Sequence, residues 1–277
     1  MTTVGIGVFI TDDLYYYGKN EYSDGWRARD RAATFIEGAV NRSQHTPDVY
    51  LSEDRPDPNR ESTNESWSQA CPCFTKYTCD FNNVLDYFTQ WVDNCDIYVK
   101  SDANVLITNT SNLNGGLAHG GTDANKGFAQ TGQSVCDLPA SYERWGDNDA
   151  HNAMHTVFEE VGHNLMKGSD DADEDEDGDG IYQHDAGAIL EHEGDGSTDP
   201  AGTTGMGINN NETEFSQNEV NNDCNNTYNT DGNIYWEMKW SDCCESYWVF
   251  EYEKTHIDEG YKPDDGCNFL YEFYEGR

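Results

Sequence analysis

The side chains best suited to chemistry lie on one stretch, Ala150 to Leu165, where His155, Glu159 and His163 recur every four residues. On a helix that spacing lines them along one stripe, beside a second stripe made of Ala150, Met154, Val157, Phe158, Val161 and Leu165. A carboxylate and an imidazole one turn apart can face the same ion, and both are ordinary zinc ligands. Glu159 and His163 form one such pair, and His155 and Glu159 form another. All three cannot share one ion, because residues i and i+8 stand about 12 Å apart along a straight helix. A second concentration runs from Asp173 to Asp185. Its alternating carboxylates before a turn-forming glycine suit a hard cation, with Asp175, Asp177, Asp179 and Asp185 as candidate calcium ligands, or else form a solvated acidic loop.

Residues 159–166 read Glu-Glu-Val-Gly-His-Asn-Leu-Met. They resemble the zinc helix of the metzincin metallopeptidases, HExxHxxGxxH, most closely the reprolysin-like forms with HELGHNLG. The resemblance makes Glu160 the general base, acting on water held by zinc, and His163 a zinc ligand. Glu159 stands where the family has its first His, Met166 replaces the Gly and Ser169 replaces the third His. Glu159 can itself serve as a ligand, and His184 or Asp185 can supply the third donor if the acidic segment folds back under the helix. Calcium in that segment would then help to place His184. Upstream, Asn104-Val-Leu-Ile-Thr-Asn109, Gly116-Leu117-Ala118 and Val135-Cys136 resemble the family's strand, Gly-Leu-Ala segment and edge region. Downstream, Gly205-Met206-Gly207 resembles its Met-turn. The implied fold is α+β and zincin-like: a twisted mixed sheet with two helices above, the active-site helix below, and a small irregular C-terminal subdomain. Peptide substrate would add to the edge strand near Val135.

The elements that must position these residues can be read from periodicity. Residues 3–10 form a β-type run, and Trp26 to Val40 carries Ala32, Phe35, Ile36 and Val40 at helical spacing. A short strand is expected at Asp48 to Leu51, a helix at Val84 to Val92, and strands at Ile97 to Val99, Asn104 to Thr108 and around Ser134 to Leu138. Between them, Ser52 to Asp80 reads as a Cys-rich surface insertion pinned by disulfides. The expected division is an N-terminal subdomain over 1–163 and a C-terminal one over 164–277 holding the acidic loop, the Met-turn and a Cys-rich tail. The aromatic runs near 235–252 read as core, and His119 and His192 as surface residues.

Composition narrows the partners. The chain has 277 residues with 16 Lys plus Arg against 53 Asp plus Glu, a formal charge of −37. Nucleic acid and anionic membrane surfaces are poor partners for such a surface, because polyanion binding needs clustered basic residues. A mean hydropathy of −0.87 and the lack of a long apolar run argue against membrane insertion. Aromatics at 13% supply enough buried area for a folded core. The acid excess runs from end to end and points to a haloarchaeal-type protein adapted to multimolar salt, where the Debye length is about 3 Å or less. Nine cysteines outside any CxxC pattern favour disulfides and an oxidising, extracellular location. Sequons at Asn41, Asn64, Asn109, Asn211 and Asn225 agree with that. Thr2 to Ile10 reads as a strand, with no basic start of a signal peptide, which leaves a processed form or another route outward such as a virus particle.

Two functions remain open on these residues. One is a secreted or surface-exposed metallopeptidase with zinc, and possible calcium, acting on peptide or protein substrates. The other is a catalytically inactive zincin-fold surface or virion protein that binds a protein partner, for which the missing first and third His speak.

Overall fold

Thr3–Ile10 is a strand, β1, and from Val4 onward every residue in it is buried. A run buried on both faces belongs in the middle of a sheet covered on two sides. The computed structural model describes residues 2–61, 65–110, 115–118, 125–146, 148–166, 189–191, 201–203, 235–240, 244–245 and 248–250. After β1 come α1 (Asp12–Tyr22), α2 (Arg27–Val40), β2 (Thr46–Leu51), β3 (Trp67–Cys71), β4 (Phe74–Phe81) and α3 (Val84–Cys95). They are followed by β5 (Ala103–Thr108), β6 (Gly115–Ala118), β7 (Lys126–Gln130), β8 (Trp145–Gly146) and α4 (Asp149–Met166). Three short strands are described beyond α4: β9 (Ile189–Glu191), β10 (Ala201–Thr203) and β11 (Tyr235–Glu237).

The main sheet has the order β2-β1-β5-β7-β6. Its first four strands are parallel, and β6 pairs antiparallel with β7 at the edge. The protein is therefore an α+β chain with a mixed sheet. Two cores lie on opposite faces. On one, Val4, Ile6, Val8, Val105 and Ile107 pack with Ala32, Phe35 and Ile36 of α2 and with Met154, Val157 and Val161 of α4. On the other, Phe9, Leu106 and Phe128 meet Leu85, Phe88 and Trp91 of α3 together with Trp67 and Phe81. The layering thus differs from the expected one: α2 lies beside α4 on the same face, and α3 covers the other. Buried polar side chains lock the strands together. Asn104 accepts from Lys100 N at 2.7 Å and donates to Lys100 O at 2.6 Å and Asn125 O at 3.0 Å. Asp102 accepts from Gly5 N at 2.7 Å.

Several local expectations need correction. The segment around Ser134 to Leu138 is a 3₁₀ turn, Ser134–Asp137, closed by Cys136 N to Gln133 O at 3.0 Å. Val135, Cys136 and Leu138 plug the core, so their apolar character comes from burial in a turn and not from a strand. The edge strand is β6. Ile97 to Val99 forms no strand, because Asp96 takes a left-handed conformation (φ 53°) that ends α3 and turns the chain. The Cys-rich excursion is a hairpin, β3 with β4, whose base contributes Trp67 and Phe81 to the core. Cys71–Cys79 staples the hairpin to itself, and Cys73–Cys95 ties it to α3. Helix α1 and strand β7 were not foreseen.

Beyond α4, described pieces of the C-terminal half return to the first core. Trp240 Nε1 donates to Phe158 O at 3.0 Å, and Val249 N donates to Leu165 O at 2.7 Å. Trp240, Trp248 and Phe250 are buried, in keeping with the reading of these aromatics as core. No helix among the described residues is long and apolar enough to cross a membrane.

Candidate functional site

Asn148 starts α4. Its side-chain oxygen accepts from Ala150 N at 3.0 Å and His151 N at 3.2 Å, which satisfies two of the donors that a helix start leaves open. The apolar stripe read from the sequence is the buried face, with Ala150, Met154, Val157, Phe158, Val161 and Leu165 all in the core. That packing fixes the rotation of the helix, and so it fixes where the ionisable residues point. His151 extends the four-residue series at its start. It has a structural role: Nδ1 lies 2.9 Å from Asn148 Oδ1, and the ring stands edge-on to Phe35. His155 is also buried, whereas Glu159 and His163 remain partly open to solvent. Of the two carboxylate–imidazole pairs, Glu159 with His163 is the more accessible to an ion arriving from outside.

Glu160 takes a different direction. Only 3% exposed, it is pressed against the backbone of Gly116 in β6. A Cβ at Gly116 would stand 2.0 Å from Glu160 Oε1 and 2.6 Å from its Cγ. One turn on, Asn164 meets β7 at Gly127, where a Cβ would stand 2.8 Å from Nδ2. Asn164 Nδ2 in turn donates to Glu160 O at 2.7 Å. Two glycines therefore let α4 approach the sheet edge closely, with the Glu160 carboxyl in the gap. Glu160 Oε2 is buried with no hydrogen-bond partner among the described residues. A buried carboxylate oxygen in that state costs stability, and such costs concentrate where function needs the group.

Electrostatics agree with the geometry. Burial, and then the neighbouring Glu159, push the Glu160 carboxyl well above the usual carboxylate range. Burial also raises Glu159, against the lowering effect of His163, so Glu159 and His163 feel each other's charge. Glu159 and His163 give one oxygen and one nitrogen donor, a combination that suits zinc. Among the described residues no group of three His, Cys, Asp or Glu side chains surrounds a common point. His184, the expected third ligand, lies outside the described residues, as do Asp175, Asp177, Asp179, Asp185 and Met206. Sequence reading found Glu159, Glu160 and His163. It missed Asn164 and the reason for Gly116 and Gly127, although Asn164 follows Glu160 at one helical turn and both glycines sit in short β segments, where a close backbone approach is a standard cause.

Two outcomes follow. Gly116→Ala should destabilise the fold by about 1–3 kcal/mol, the usual cost of forcing atoms into a packed site. In a Glu160→Ala background most of that loss should vanish, giving a coupling above about 1 kcal/mol in a double-mutant cycle read by chemical denaturation. Additive effects would mean that the carboxyl does not occupy the gap. The second outcome concerns pH in chelated protein. The folded-state pKa of Glu160 is raised, so below about pH 4 both folded and unfolded chains carry the proton and the residue costs nothing. As pH rises, the unfolded chain ionises first, and stability falls until the folded-state pKa is passed. Glu160→Gln should lack this fall, matching wild type in acid and exceeding it in stability at neutral pH. Parallel pH–stability curves for the two proteins would contradict a Glu160 carboxyl raised by burial.

No known family model matches this chain, and no curated protein matches it.

Proposed function

We propose that the chain is a zincin-like metallopeptidase that hydrolyses peptide bonds with zinc held on α4. The single observation that carries this reading is the Glu160 carboxyl. It is buried, seated on the edge strand and short of one partner among the described residues, and its immediate neighbour Glu159 pairs in sequence register with His163. A mixed sheet whose antiparallel edge strand packs against α4 supports the reading, while the layering, with α2 on the same face as α4, departs from what the resemblance implies. Glu159 and His163 would hold the ion, with His184 or Asp185 as third donor. What zinc supplies when bound is a Lewis acid that lowers the pKa of water and polarises the scissile carbonyl. A carboxylate in the ligand set reduces the net positive charge there and weakens that acidification. A cation next to Glu160 would draw its pKa back down and make it a base.

Glu160 then takes a proton from the attacking water and passes it to the leaving amine. Gly116 and Gly127 hold the base against the edge strand, so its position is set by backbone. The outer edge of β6 pairs with no strand among the described residues, and Leu117 on it is exposed. An extended peptide can add there by main-chain hydrogen bonds, which places its carbonyls along the Glu160 side of the helix. The peptide-docking edge is thus reassigned from Val135 to β6. The two disulfides among the described residues support a secreted or surface location, since such bonds persist in oxidising compartments.

The second reading, a retired zincin fold that binds a protein partner, draws support from the β3–β4 hairpin. It exposes Phe74 and Tyr77, the latter at 68%, on an element stapled rigid by disulfides. Cleavage of an unfolded protein substrate separates the two readings. Chelation should abolish it, and Glu160→Gln should lower kcat by about 10²- to 10⁴-fold with the fold intact. Equal rates for Glu160→Gln and wild type would remove Glu160 from the mechanism.

A further inference from the structure

The solvent side of α2 runs out into a modification motif. Positions 30, 34, 37 and 41 follow one another at four, three and four residues, which sets them on one stripe, opposite the buried Ala32, Phe35, Ile36 and Ala39. Asp30, Glu37 and Asn41 on that stripe are exposed, and Thr34 is half-buried. Asn41 opens the tripeptide Asn41-Arg42-Ser43, a sequence that can accept an N-linked glycan where it lies at the surface. The chain is held from its inner side as it leaves the helix. Asn41 N donates to Glu37 O at 2.9 Å, Arg42 N to Ala39 O at 3.0 Å and Ser43 N to Val40 O at 3.0 Å. Ser43 Oγ donates to Val40 O at 2.6 Å and accepts from His45 N at 3.0 Å. Main chain and hydroxyl thus fix the turn, and Asn41 stands on its open side.

Asn109-Thr110-Ser111 carries the same motif in a different setting. Asn109 Oδ1 is shielded from solvent, Asn109 N donates to Glu61 Oε2 at 2.7 Å, and Thr110 Oγ1 donates to Glu61 O at 2.5 Å. A glycan on that amide would have to displace the 52–61 segment from the end of β5, and forcing bulk into a packed site destabilises a fold. We propose that Asn41 is an acceptor for an N-linked oligosaccharide and that Asn109, in the folded protein, is not. Asn41 Nδ2 attacks the anomeric carbon of an oligosaccharide carried on a lipid phosphate. The new C–N bond replaces the sugar–phosphate C–O bond, the lipid phosphate leaves with that electron pair, and the amide gives up one proton to the transferase. The glycan lies just before β2, at the opposite edge of the main sheet from β6, so the peptide-docking edge stays open. The inference rests on the extracellular reading of the chain and is independent of the peptidase chemistry.

The test is site-by-site glycan mapping of the full chain, directed by a cleavable leader through the secretory route of a eukaryotic host. Peptide N-glycosidase in heavy-oxygen water turns each glycan-bearing Asn into a labelled Asp, which digestion and mass spectrometry then locate. The same digest, left unreduced, selects folded protein by its Cys71–Cys79 and Cys73–Cys95 bonds. In that fraction Asn41 should carry the label and Asn109 should not, and Asn41→Gln should remove the label at this site from a chain that folds as wild type. A bare Asn41 in the folded, secreted protein would overturn the site. Because the host imposes the route, that result would leave the extracellular reading and the peptidase reading where they stand. A labelled Asn109 in the folded fraction would overturn the burial argument that separates the two positions.

Discussion

The close approach of one helix to one sheet edge is the constraint on which the rest depends. Gly116 and Gly127 remove two side chains from β6 and β7, and α4 uses the space to set Glu160 and Asn164 against backbone. A carboxyl group so placed cannot swing away, because core packing along Met154, Val157, Phe158 and Val161 fixes the rotation of the helix. The cost is a buried acid with one oxygen that finds no hydrogen-bond partner among the described residues.

The remaining architecture serves this approach. The parallel strands are buried on both faces, and buried polar locks such as Asn104 and Asp102 hold their register. On the face away from α4, helix α3 and the stapled hairpin brace the strands through Phe88, Trp91, Trp67 and Phe81. On the near face α2 and returning C-terminal aromatics press α4 into place, with Trp240 bonded to Phe158 O. Beyond the carboxyl ends of β1 and β5 the chain also holds Glu61, whose Oε2 accepts from Asn109 N.

Much of this was legible in the sequence, for identifiable reasons. Helix α4 carries an uninterrupted apolar stripe, and Glu159, Glu160 and His163 sit at spacings with chemical meaning on any helix. Strands β1 and β5 are apolar runs whose length suits a strand. The edge strand was misplaced because β6 has four residues, two of them glycine, and no pattern marks it, whereas Ser134 to Leu138 is apolar for a tertiary reason. Helix α1 escaped notice because its buried side is small, with only Leu14 and Gly18 enclosed. The pairing of Gly116 with Glu160 and the docking of Glu61 onto β5 are long-range facts that no local pattern encodes.

The central claim is that Glu159 and His163 hold a metal beside Glu160. Elemental mass spectrometry on protein purified in high salt without added metal tests it most directly. The account predicts about one zinc per chain, retained in Glu160→Gln and lost in Glu159→Ala and in His163→Ala. A chain that takes up no zinc even after incubation with it, or that binds zinc equally with either ligand replaced, would contradict it.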